Sequence, residues 1–241
     1  MIRAICEKVT KLEKLNLFWP PLTQSISDAS LQLMNGLVNL TYLNVSWSEE
    51  ITDKGVMSLG ALTNLEVLKL NSSKITDKSL EFIGKTFKKL RTLHIQESLI
   101  TNEGIRDQLV PNMPQLTCIA LGGKNVTDPA LGHIVGLKNL KAVITGGPGV
   151  TDAGVLAIAK IAGLQYVNIW QSSITDEAMT YLASLLQLRK LKLDGNIFIT
   201  DDGIERIASL RKLRLLSLFG CSLVTDRGPR YISNDHLKII R

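Results

Sequence analysis

One phrase governs this 241-residue chain. Leu-x-x-Leu-x-Leu, with aliphatic substitutions, begins at Leu12, Leu40, Leu65, Leu90, Leu116, Leu140, Leu164, Leu188, Leu213 and Leu237, spaced 24 to 28 residues apart. A second phrase follows at a fixed offset: Ile51-Thr52-Asp53, Ile75-Thr76-Asp77, Ile100-Thr101-Asn102, Val126-Thr127-Asp128, Val150-Thr151-Asp152, Ile174-Thr175-Asp176, Ile199-Thr200-Asp201 and Val224-Thr225-Asp226. Ile26-Ser27-Asp28 is a weaker first copy. A period of this length implies small units that cannot bury their apolar faces alone and that stack to make a continuous core.

Each unit reads as one strand and one helix. In Leu65-Glu-Val-Leu68-Lys-Leu70 the apolar residues alternate at the end, which is strand periodicity. Leu68 and Leu70 should face the core, and Val67, Lys69 and Asn71 should face the other way. The Ile-Thr-Asp phrase then leads into stretches such as Gly203–Leu210, with apolar residues at helical spacing. Thr or Asp serves as N-cap, because its side-chain oxygen accepts an orphan backbone N–H. Asp128 followed by Pro129 fits Asp as cap and Pro as first helical residue. The Asp/Asn residues of the phrase are thus expected to cap their own helices along the loop edge.

The repeats resemble the leucine-rich repeat family across essentially the whole chain. The Ile/Val-Thr-Asp-x-Gly phrase is similar to the cysteine-containing subclass found in F-box/leucine-rich-repeat proteins, the substrate receptors of ubiquitin ligases, and to bacterial repeats. The resemblance implies an α/β fold: a right-handed leucine-rich-repeat solenoid, or horseshoe, with a parallel β-sheet on the concave face and helices on the convex face. The family's characteristic cysteine, three residues after the third leucine, stands here only as Cys221. Other units carry Pro20, Ser48, Ser73, Ser98, Lys124, Pro148, Ser172 and Asn196. The expected organisation is a single domain, 1–241. Residues 1–11 are a partial preceding repeat, with a helix over Ile2 to Val9. Nine repeats follow, and 237–241 begin a further strand. No polar cap is evident at either end, which reads as a fragment of a longer protein. Pro229, in the last helix region, keeps open a closing repeat with its end covered by a partner.

Little in the chain points to catalysis. No apolar run spans a membrane, and the start turns charged too soon for a secretory signal, so an intracellular, membrane-free setting is expected. Cys6, Cys118 and Cys221 make no disulfide framework. His94, His133 and His236 share no metal-ligand spacing, and no activating His is identifiable for Cys118. Neither Gly122-Gly123-Lys124 nor Gly146-Gly147-Pro148-Gly149 continues as a phosphate loop, so turn chemistry accounts for both. Asn-x-Ser/Thr triplets at Asn39, Asn44, Asn71 and Asn125 are incidental to Asn- and Thr-rich repeats. No enzyme activity, cofactor or metal is expected. Of the net charge of +6, +5 lies in residues 181–241, densest at Arg189, Lys190, Lys192, Arg211, Lys212 and Arg214. A solvated face accounts for it; the sharper alternative is a docking site for an acidic partner. Nucleic acid is not expected.

The aromatics carry the functional signal. Of twelve, seven stand in columns facing away from the core or just after the strand: Phe18, Trp19, Tyr42, Trp47, Tyr166, Trp170 and Phe219. Leucines already build the core, so these rings are available for recognition. The plain alternative is that they brace one another or the strand–turn edge. Two aromatic groups flank a run of small residues (Cys118, Ala120, Gly122, Gly123, Ala142, Gly146, Gly147), with Trp47 and Trp170 roughly 24 Å apart along an ideal sheet. The expected partner-binding residues are Phe18, Trp19, Tyr42, Trp47, Lys69, His94, Gln96, Tyr166, Trp170, Lys190, Lys192 and Phe219. The expected function is recognition of an unidentified protein by the concave face, with ubiquitin-ligase components among the candidate partners. A bacterial interaction or effector protein is a second setting. A small-ligand receptor using the glycine-floored trough is the alternative of another class.

Overall fold

The structure, a computed structural model, describes Cys6, Val9 and residues 11–18, 26–232 and 236–241. The helix expected over Ile2 to Val9 lies largely outside the described residues. Two compact units are formed, Met1–Ala120 and Leu121–Arg241.

In the first unit, β1 (Lys14–Asn16), β2 (Tyr42–Asn44), β3 (Val67–Lys69), β4 (Thr92–His94) and β5 (Cys118–Ala120) pair in parallel in chain order. Lys14 lies opposite Tyr42, Tyr42 opposite Val67, Val67 opposite Thr92 and Thr92 opposite Cys118. The leucine phase therefore sets the register. Helices Asp28–Met34, Asp53–Met57 and Asp77–Thr86 follow their strands. The 26-residue step from Leu90 to Leu116 is absorbed in the helical layer. A π-helical segment, Ile105–Leu109, lies between short helices Asn102–Gly104 and Val110–Asn112.

The second unit repeats the pattern with β6 (Ala142–Gly146), β7 (Tyr166–Trp170), β8 (Lys190–Lys192), β9 (Leu215–Ser217) and β10 (Lys238–Ile240). Helices Asp128–Ile134, Asp152–Ile158, Asp176–Leu182 and Asp201–Arg206 accompany them. In the described part of the last repeat the helix is replaced by a 3-10 turn, Gly228–Tyr231, at Pro229. β10 departs from the sequence phase by one residue. Lys238, not Ile239, lies opposite Leu215, so Ile240 rather than Arg241 lies opposite Ser217. A one-residue slip exchanges the faces of a strand.

The core is the stack of the repeated aliphatics. Leu43, Leu68, Leu93 and Ile119 in one unit, and Val143, Val167, Leu191 and Leu216 in the other, are fully buried. Each such side chain contributes about 1.5–3 kcal/mol by its burial.

The helix starts correct one expectation. The N-cap is the threonine: Thr52, Thr76, Thr151, Thr175 and Thr200 accept from the backbone N–H two residues on, and Thr101 from Gly104. The aspartate is the first helical residue, so Thr127 precedes the helix at Asp128 and Pro129 is its second residue. Asp does not cap its own helix. Its carboxylate reaches the next repeat and accepts both the backbone N–H and the hydroxyl of the next threonine. Asp53 holds Thr76 at 2.8 and 2.6 Å, Asp128 holds Thr151 at 2.8 and 2.6 Å, and Asp176 holds Thr200 at 2.8 and 2.6 Å. Asp28, Asp77, Asp152 and Asp201 do the same to Thr52, Thr101, Thr175 and Thr225.

Candidate functional site

In both units the strand face opposite the helices is built from the outward columns, and the turn after each strand frames it. That turn has a fixed backbone requirement. The second residue after the third leucine is left-handed at Trp47 (φ 65°), Ser72 (55°), Glu97 (52°), Gly123 (112°), Gly147 (101°), Gln171 (45°), Gly195 (75°) and Gly220 (74°). Glycine is the undemanding residue there. A bulky residue with positive φ is an outlier, at roughly 1–2 kcal/mol. Trp47, Glu97 and Gln171 are such outliers; of them Trp47 is the aromatic one, and its side chain is half exposed.

On the first unit's open face, Tyr42 and Lys69 are half-buried, with the Lys69 ammonium 5.8 Å from the Tyr42 ring centroid. Phe18 is exposed beyond the end of β1. Trp19 lies outside the described residues. The asparagines beside them are structural. Asn44 is buried and donates to Asn16 Oδ1 at 2.9 Å, while its own Oδ1 accepts from the Ser46 N–H. Asn71 Oδ1 accepts from the Gln96 N–H at 2.9 Å, which fixes the backbone at Gln96.

β4 and β5 bring His94 and Cys118 together, Sγ to Nε2 3.9 Å, so the thiol does have a histidine beside it. The pair is set against nucleophilic chemistry. Burial, with the charge of Lys69 adding, pushes His94 down from 6.5 to about 4. Burial also pushes the Cys118 thiol up, outweighing Lys69 and a Thr92 hydrogen bond. Both groups are held neutral, whereas an active pair needs thiolate and imidazolium.

On the second unit's open face stand Tyr166 and Trp170 on β7 and Lys190 and Lys192 on β8. Phe219 follows β9 and is 68% exposed. Trp170 is half-buried, and its indole lies on Gly146: a Cβ there would meet the ring and the Trp170 carbonyl under 3.0 Å. The glycine at 146 is thus a seat for the tryptophan and not an open floor. Asp194 accepts from the Ser217 hydroxyl and the Phe219 N–H. Sequence reasoning missed one group here. Ile197, Phe198 and Leu223 are each 52% exposed, on the same strand-to-helix side as Phe219. Their signal was available by column: Phe198 and Leu223 occupy the place held by Glu50, Lys74 and Ser173 in other repeats.

Among the described residues, no cluster of three or more His, Cys, Asp or Glu could hold a metal ion. Among the same residues, no helix is long and apolar enough to cross a membrane.

A family model described as Leucine Rich repeat matches residues 37–60 and 61–84. No curated protein matches the sequence. Among solved structures, an internalin (inlF) from Listeria monocytogenes is similar at 25% identity and TM-score 0.66, over 98% of this chain; the chain spans 62% of that structure. Internalin C2 (inlC2) from the same organism is 20% identical, with TM-score 0.55, over 99% of this chain and 92% of its own. A yeast complex of Rad7 and Elc1 is 16% identical, with TM-score 0.52, over 99% of this chain and 83% of the other. The fold is a leucine-rich-repeat solenoid.

Proposed function

We propose that this chain recognises a protein partner through the open face of its strands and the turns that frame it, with Trp47 as the principal anchor in the first unit. One observation carries the reading. Trp47 holds a left-handed backbone that four other repeats give to glycine and three to Ser72, Glu97 and Gln171, and it is the one aromatic among the described residues of that column, with its indole half exposed. A strained, exposed tryptophan is a poor choice for stability and a good one for an interface, where Trp is favoured as an anchor. Phe18, Tyr42 and Lys69 surround the same face, and Phe219 with Lys190 and Lys192 offers a second apolar and basic surface in the other unit.

The test is Trp47→Gly. Glycine suits the turn, so the variant should unfold at the same or higher denaturant concentration than wild type. It should lose the partner that wild type retains in affinity capture from the source organism. A variant that is less stable and still binds would make Trp47 a bracing residue and sink the proposal.

The setting is a separate matter. A bacterial interaction protein is supported by the 25% identity to an internalin. A ubiquitin-ligase receptor is supported by the Ile/Val-Thr-Asp-x-Gly phrase and by Cys221 in the subclass position. Phe18, Trp19, Tyr42, Trp47, Lys69, His94, Gln96, Tyr166, Trp170, Lys190, Lys192 and Phe219 remain the proposed contact set. Trp170 is now assigned in part to packing on Gly146, and His94 to a neutral, half-buried position.

A further inference from the structure

The second unit has another surface, at its helix-to-strand edge. Residues 135–141, 159–165, 183–189 and 207–214 connect the helices to β6, β7, β8 and β9. They contain seven Lys or Arg and no Asp or Glu. Backbone bonds stack the ends of these connections. Gln165 N–H donates to Lys141 O at 2.8 Å, Arg189 N–H to Gln165 O at 2.8 Å and Arg214 N–H to Arg189 O at 2.7 Å. Lys141, Arg189 and Arg214 therefore stand in one file, at successive steps of about 4.8 Å with Gln165 between. Lys138 and Lys212 flank the file, and all five basic residues are exposed. Lys212 also donates to Gln187 Oε1 at 2.6 Å. The ion pairs Lys85–Glu81, Arg106–Asp107 and Arg241–Asp226 lie elsewhere. The corresponding edge of the first unit is mixed in sign, with Lys11, Glu13, Glu66 and Lys89 around one cleft.

Leu186, 60% exposed, sits within this edge, in the connection that ends at Arg189. None of the four connections contains Phe, Trp or Tyr. A nucleic-acid strand would gain charge contacts here but no stacking platform. An acidic polypeptide gains both charge pairing and an apolar contact at Leu186. We infer that the helix-to-strand edge of the second unit docks an acidic, leucine-containing peptide segment of a partner protein, separately from the open strand face.

The experiment is fluorescence anisotropy with a labelled peptide of alternating Glu and Leu, beside a labelled single-stranded oligonucleotide. Two variants carry equal charge changes: Arg189→Glu/Arg214→Glu on the edge, and Lys54→Glu/Lys78→Glu on exposed positions of the first unit. Circular dichroism checks that each is folded. The edge variant should lose peptide affinity by about tenfold or more, the loss of roughly 1.4 kcal/mol of charge contacts. The control should stay near wild type, and added salt should weaken binding. Tighter binding of the oligonucleotide than of the peptide, an equal loss in both variants, or no peptide binding by wild type at low salt would overturn the inference.

Discussion

Thr145 occupies the third-leucine position of its repeat, where Val45, Leu70, Ile95, Leu121, Ile169, Leu193 and Leu218 stand elsewhere. It is fully buried, and its hydroxyl has no hydrogen-bond partner among the described residues. An unsatisfied buried hydroxyl forfeits its hydration with nothing in return. Replacing it with the near-isosteric Thr145→Val should raise stability by about 1 kcal/mol, seen as a later urea midpoint with an unchanged slope. An earlier midpoint would mean the hydroxyl is satisfied in solution. The position three residues after the third leucine shows the same chemistry satisfied. Ser73 and Ser98 donate to the carbonyl three residues back at 2.6 and 2.7 Å. The Asn196 amide donates to Ile169 O and Leu193 O, both at 2.8 Å, and Cys221 Sγ to Leu193 O at 3.0 Å. At Ser73, Ser98, Asn196 and Cys221 the turn thus takes a small donor, whereas the Ser48 hydroxyl at the same position is buried with no partner among the described residues and Pro148 offers no side-chain donor.

Between elements, the recurring link is the aspartate that starts one helix and binds the threonine capping the next. The link also bears on the glycine of the Ile/Val-Thr-Asp-x-Gly phrase. A Cβ at Gly55, Gly104, Gly154, Gly203 or Gly228 would fall under 3.0 Å from the carboxylate of the preceding repeat. The constraint can be met otherwise: Ser79 turns its hydroxyl onto Asp53, and Ala178 is accommodated beside Asp152 while that carboxylate still holds Thr175. Asp176→Ala removes both acceptors of Thr200 and strands its N–H, and should cost about 2 kcal/mol. Asp176→Asn keeps one carbonyl acceptor and can donate to the hydroxyl, so it should lose less than half as much. Chemical denaturation of the two variants measures this; equal losses would show that charge, not the bond pattern, holds the link.

For the molecule as a whole, acid is the condition that most tests these arrangements. His94 titrates near 4 in the folded state against an ordinary 6.5, so between those values the unfolded chain binds more protons. Its contribution is complete above 6.5 and is lost as pH falls to about 4. The loss is on the order of 2 kcal/mol once partial exposure is allowed for. Burial alone would raise the Asp53 carboxyl, but hydrogen bonds from Ser79 and Thr76 outweigh it and leave it below its usual 3.8. The Thr225 hydroxyl, bonding against a smaller burial effect, lowers Asp201 likewise. Their contributions are present at neutral pH and lost on further acidification. Stability should therefore be level above 6.5, decline gently towards 4 and fall steeply below it. His94→Gln should flatten the first decline and leave the second. A first decline that persists in the variant would place its cause outside His94.

By itself the sequence determined everything that depends on position within a repeat. The leucine phase sets which side chains are buried and, within β1 to β5 and within β6 to β9, which strand residues face each other, because side-chain direction alternates along a strand. Columns of glycine at 123, 147, 195 and 220 mark a turn that needs positive φ. What only the tertiary structure decided lies between repeats. Whether Asp176 turns to its own helix or to Thr200, whether His94 reaches Cys118, whether Trp170 covers Gly146 and whether β10 keeps phase all depend on how one repeat is displaced and rotated against its neighbour. That displacement comes from packing between side chains some 23 to 28 residues apart. A periodic pattern repeats identically for either choice, so it carries no information about which neighbour a side chain will meet.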